Sequence, residues 1–175
     1  IEKVSAIMKE KNPELAGKED IAEAVGVGAV VFYYLSNNRL RDINFVMEDA
    51  LSFDGNTGPY VQYTYARTCS VLGKAGNIRD DLPLCVTAEE ETALLRVIAR
   101  FEETVRAAID AYEPSLITRY ILDVAGAYNR FYHNCSILNA EDEKVKATRL
   151  ALTAATRTVL GNAFDLICLR RTEKI

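Results

Sequence analysis

Tyr60, Tyr63 and Arg67 are spaced i, i+3 and i+7, so on a helix they share one side. Two phenol rings and a guanidinium on one face are suited to stacking on unpaired bases, and the arginine can also bond phosphates or base edges. Packing of the tyrosines into a helical bundle accounts for the same spacing, and at this point both readings stand. Asn129, Arg130, Tyr132 and His133 form a second group. Within it Asn129 and Tyr132 share a face at i, i+3, with a polar edge able to read a base, although spacing alone makes that a weak signal.

Other chemistries find less support. Gly26-x-Gly28 has neither a third glycine nor a preceding strand, so it reads as close helix packing rather than a dinucleotide turn. No Walker-type lysine follows a glycine loop. His133 is the chain's single histidine; a di-iron bundle needs Glu-x-x-His twice and is excluded, and a surface or hydrogen-bonded role is the plain reading. Asp80-Asp81 and Glu89-Glu90-Glu91 lie at turns or helix starts, where solvation and capping account for them. Cys69, Cys85, Cys135 and Cys168 are scattered without a C-x-x-C pair, which argues against zinc and for buried free thiols in a reducing cytosol. No catalytic residue and no metal ligand is expected.

Across 175 residues, 49% are hydrophobic and 26% charged, an ordinary globular balance with enough chain for its own core. The net charge of −4 argues against a general nucleic-acid binder coated in Lys and Arg. It leaves room for a local aromatic site that reads a few bases, because stacking needs no large positive field. The longest apolar run, residues 29–35, is too short to cross a bilayer. With no signal peptide in view, a cytoplasmic protein without a membrane partner is expected.

The elements that must position these residues are helical. Periodicity predicts a first helix over residues 1–11, stopped by Asn12-Pro13, and a second over about 18–35, broken at Ser36-Asn37-Asn38. A short strand over 41–46 and a helical turn over 48–53 follow. The turn cluster from Asp54 to Pro59 then opens a helix over 60–74, with Val61, Tyr65 and Leu72 inward and Gly76-Asn77 as its stop. Thr87 to Glu90 matches a capping box. It opens one long helix to about Tyr112, with Leu94, Leu95, Ile98, Phe101, Val105 and Ile109 inward. A helix over 115–138 buries Ile117, Tyr120, Ile121, Val124 and Phe131. Asn139 caps a last helix over about 141–169 through Val145, Leu152, Val159, Ala163 and Ile167. The expectation is an all-α protein, a helical bundle over 55–175 preceded by a short, mainly helical linker over 1–54.

Two stretches carry a resemblance. Residues 28–72, centred on NTGPY-x-QY-x-x-AR from Asn56 to Arg67, resemble the junction of catalytic region and anticodon-binding domain in the arginyl-tRNA synthetases. RYILDVAGAYNRFYHNC, residues 119–135, resembles the signature helix of the DALR-type anticodon-binding domain, and the closing LRRTEKI is similar to that family's C-terminal end, with Ile175 where Met is usual. The resemblance implies a class I enzyme that attaches arginine to tRNA(Arg) using ATP, with Mg²⁺ on the ATP. The family's HIGH-like and KMSKS-like signatures are absent from these residues, so this chain alone is expected to be inactive. Its implied partners are tRNA(Arg) and an N-terminal catalytic core, with no role for DNA. By motif position, Tyr60, Tyr63 and Arg67 fall where the family contacts the anticodon arm. Asn129 and Tyr132 fall on the helix facing the anticodon loop, and Ile175 falls where the chain end approaches it. An exposed apolar surface is expected near residues 20–53, where a catalytic core would pack.

Two other readings remain. One keeps the fold as an anticodon-binding module of another synthetase or a stand-alone RNA-binding homologue. The other is a helical protein-interaction bundle with no RNA role, which the acidic net charge fits.

Overall fold

A computed structural model describes Val4, residues 19–76 and residues 81–175. The helix expected over 1–11 and its Asn12-Pro13 stop, Val4 apart, lie outside the described residues. The elements are α1 (Glu19–Leu35), the single turn α2 (Met47–Ala50), α3 (Gly58–Ala75), α4 (Glu89–Ala99), α5 (Phe101–Ala111), α6 (Ser115–Asn134) and α7 (Glu143–Leu166). The fold is all-α, as the periodicity predicts.

α6 is the axis of the bundle and packs against α3, α4, α5 and α7. Ile121, Val124, Ala125, Tyr128 and Phe131 are spaced to fill both its inner faces, and all five are sealed from solvent. The core around them falls into two parts. One joins Phe32 of α1, Val61 and Tyr65 of α3, and Leu160 and Phe164 of α7; the other joins Leu72, Leu94, Phe131 and Leu152. The inward positions expected on the helix over 60–74 are therefore correct.

α1 and α3 touch backbone to backbone. A Cβ placed on Gly58 would lie 2.8 Å from the carbonyl oxygen of Gly28, so neither position has room for a larger residue. One turn along α3, the buried Gln62 amide donates to the Ala24 carbonyl (3.3 Å) and to the Arg170 carbonyl (2.9 Å). A single side chain thereby ties α1, α3 and the C-terminal segment together.

Several boundaries differ from the sequence expectation. No strand forms over 41–46. That segment is held by side chains instead: Tyr33 donates to the Asn44 carbonyl at 2.8 Å, and Phe45 stacks on Tyr34. The long helix expected from Thr87 to Tyr112 is two helices, broken at Arg100, whose N–H reaches back only three residues to Val97 (3.2 Å). The break shifts the phase of α5, so Ala108 is buried while Ile109 is 64% exposed; on α4, before the break, Leu95 is also exposed rather than inward. Asp142, not Asn139, caps α7, its carboxylate accepting from the Lys144 and Val145 N–H groups. Cys168 is exposed rather than buried.

The N-cap of α4 is Ala88 rather than Thr87, and Glu91 supplies the cap. Its carboxylate caps, one of the two readings of the acidic run, but it is buried: it accepts from the Thr87 N–H (2.6 Å), the Ala88 N–H (3.0 Å) and Arg149 Nε (2.6 Å). Burial pushes the Glu91 pKa up, but the bonds from Arg149, Ala88 and Thr87 outweigh it and hold the carboxyl below its ordinary range. A folded-state pKa below the unfolded one adds stability above the unfolded Glu value, and that stability is lost as pH falls through the folded pKa.

Glu91→Gln is expected to cost on the order of 3 kcal/mol in urea unfolding at neutral pH, because Arg149 loses its buried partner. The difference between variant and wild type should shrink on acidification below the usual carboxylate range. Gly58→Ala is expected to cost about 1–3 kcal/mol by forcing α1 and α3 apart, read as a lowered midpoint in the same measurement.

Candidate nucleic-acid interface

The polar-aromatic side of α3 is set by how the helix begins. The Thr57 hydroxyl caps it by accepting from the Tyr60 N–H at 3.2 Å, and Pro59 occupies the first turn, where its missing N–H costs nothing. With Gly58 and Gln62 against α1 and Val61 and Tyr65 in the core, Tyr60, Tyr63 and Arg67 are left facing α6 and solvent.

There they meet the second group predicted from sequence. The Arg67 guanidinium lies over the Tyr63 ring at 5.0 Å and over the Tyr132 ring at 4.8 Å. Its Nη1 donates to Asn129 Oδ1. The Asn129 amide donates in turn to the Tyr60 hydroxyl (2.9 Å) and the Thr64 hydroxyl (3.1 Å), and Thr64 donates to the Tyr60 carbonyl (3.0 Å). Tyr60, Tyr63, Arg67, Asn129 and Tyr132 thus form one connected cluster across the α3–α6 seam. It is not sealed: Tyr63 is 43% and Tyr132 38% exposed.

Tyr63, Arg67 and Tyr132 line one open groove of about 770 Å³ together with Ile175, the sixth predicted residue. Ile175 also packs against the small apolar cluster of Val4, Ala22 and Val25. Tyr60 and Asn129 do not line the groove and stand behind Arg67. Sequence reasoning missed Thr64, which lies one turn from Tyr60 on the same stripe, and Lys74 and Lys174 on the groove wall. It also missed the opposite wall, residues 135–139, which continues from the end of α6 and is anchored where Arg149 donates to the Ser136 carbonyl at 2.9 Å. The stripe's own spacing pointed to Thr64; nothing in the sequence pointed to the wall.

The groove can stack and hydrogen-bond. Arg67, Lys74 and Lys174 bring positive charge to the groove, beside the side-chain carboxylate of Glu173. Burial pushes the Cys69 and Cys135 thiols up, so these two groove residues are protonated at neutral pH and weak as nucleophiles. His133 is exposed beside Tyr132, ring edge to face at 5.6 Å.

Residues 61–175 match the DALR anticodon binding domain family. Over its whole length the chain is 44% identical to the arginine–tRNA ligases of Clostridium botulinum strain Alaska E43 and of Clostridium beijerinckii, and it spans 31% of each. Among solved structures, Thermus thermophilus arginyl-tRNA synthetase superposes with a TM-score of 0.94 at 33% identity, covering 99% of this chain and 30% of that one. The arginyl-tRNA synthetase of Plasmodium falciparum shares the fold, with a TM-score of 0.89 at 24% identity over 99% of this chain and 32% of that one.

Proposed function

The chain belongs to the DALR anticodon-binding domain family, and from that footing we propose that it reads the anticodon loop of tRNA(Arg) as the C-terminal part of an arginine–tRNA ligase. The observation that carries the reading is the Arg67 guanidinium held over two tyrosine rings at the mouth of an open groove. A flipped-out base can stack on the exposed ring of Tyr63 or Tyr132, each such contact being worth about 1–3 kcal/mol. The Arg67 N–H groups then reach a base edge or phosphate, and Lys74 and Lys174 add sequence-independent attraction to the backbone. Ile175 closes one side of the groove.

The module supplies binding and identity, and the bond chemistry belongs to a catalytic portion outside these 175 residues, where ATP and Mg²⁺ would sit. The apolar face formed by Val27, Val30, Phe45, Met47 and Leu51 supports this assignment, because it is the kind of uncovered surface a neighbouring domain seats on. A cytoplasmic location goes with it, and no described helix is long and apolar enough to cross a membrane.

Arg67→Ala is expected to weaken binding to an arginine anticodon stem-loop by about 1–3 kcal/mol, roughly 5- to 150-fold, with an unchanged helical circular dichroism spectrum. Unaltered affinity in an intact fold sinks the site assignment. Wild-type binding should weaken steeply with salt; no binding to any tRNA even at low salt would favour a protein-interaction bundle instead.

A further inference from the structure

Asn129 has its oxygen engaged by Arg67 and both amide protons engaged within the cluster. A guanidinium is donor-only, so the amide must turn its oxygen to Arg67, and that fixes which side carries the nitrogen. Both amide protons are then taken, one by Tyr60 and one by Thr64. Thr64 can accept because its own proton goes to the Tyr60 carbonyl. The direction of every bond from the α3 backbone to the guanidinium is set by this chain. A residue that read a base would need a donor or acceptor pointing outward, and Asn129 stands behind Arg67 instead of lining the groove.

We infer that Asn129 is a positioning residue: it does not touch RNA but locks the Arg67 guanidinium between Tyr63 and Tyr132, so that the remaining N–H groups face an acceptor-bearing base edge or phosphate. The inference rests on the RNA-binding reading of the groove. A free arginine side chain samples many rotamers, and fixing it before binding removes that entropy cost from the association step. The gain is therefore conditional on Arg67 being present.

The test is a double-mutant cycle on the 175-residue chain, with affinity for an arginine anticodon stem-loop read by fluorescence anisotropy. Asn129→Ala in the wild-type background should weaken binding by about fivefold or more, while the same change made on top of Arg67→Ala should alter it by less than about twofold. The Arg67 side-chain Nε–H resonance in a proton–nitrogen spectrum should also broaden or move in Asn129→Ala, a response that a direct RNA contact would not give in the free protein. Equal weakening in both backgrounds overturns the inference in favour of direct contact, and unchanged affinity of Asn129→Ala in the wild-type background overturns it by showing no role in binding. If Arg67→Ala itself binds like wild type, the RNA-binding reading falls and takes this inference with it, which separates the two failures. Should Asn129→Ala not fold, Tyr60→Phe and Thr64→Val remove the anchoring acceptors one at a time at nearly constant volume. Each is expected to show the same dependence on Arg67, and independence in both overturns the inference.

Discussion

The rotation of α3 about its own axis is the constraint from which the site follows, and the contact of Gly58 with Gly28 sets it. With the two backbones this close, α3 has no freedom to roll on α1, and Gln62 adds a second fixed point one turn further on. Both are inward positions of the NTGPY-x-QY-x-x-AR stretch. The outward positions of the same stretch, Tyr60, Tyr63 and Arg67, must then point across the seam at α6. The motif is two interleaved faces. Thr57, Gly58 and Gln62 orient the helix; Tyr60, Tyr63 and Arg67 are what it presents.

Much of this was legible because it is periodic. The sorting of α3 into an apolar stripe and a polar-aromatic one depends only on 3.6-residue spacing, and Val61, Tyr65 and Leu72 are buried while Tyr63 is open, as expected. The same holds for α6. What periodicity could not reveal is how the two stripes meet. Arg67 and Asn129 lie 62 residues apart, and their bond exists because α3 and α6 cross at that height. Ile175 was placed near the loop by resemblance alone; it reaches the groove because Gln62 holds the Arg170 carbonyl against α3.

The misreadings are local in origin. Each arose where a local bond or a missing partner overrides a pattern averaged over a window. Arg100 leaves helical register at one position and rotates the downstream apolar stripe, turning Ile109 out. Glu91 sits in a run of three acidic residues that reads as solvated or capping; it does cap, but the run gives no sign that it is buried on Arg149 as well as on two backbone N–H groups. The segment over 41–46 has strand-like residues but no second strand to pair with among the described residues, so its one ring, Phe45, settles on Tyr33 and Tyr34 instead.

The groove has three walls, and each is fastened by polar bonds to neighbouring elements. Gln62 and the glycine contact hold the α3 wall. Arg149, itself held by Glu91, bonds the Ser136 carbonyl and holds the wall over 135–139. The C-terminal wall is held by Gln62 at Arg170 and by the Arg171–Asp165 ion pair beyond it. Burying such bonds gains little net stability over apolar packing, because the desolvation they require offsets most of their strength. Their directionality is a different matter. An apolar contact tolerates sliding by an ångström, whereas a carboxylate or amide engaged with two or three partners does not. On the proposed reading, an acidic protein grips a polyanion with one guanidinium and a few aromatic rings; fixed geometry then has to do what net charge cannot, and the placement of these bonds at the groove walls fits that demand.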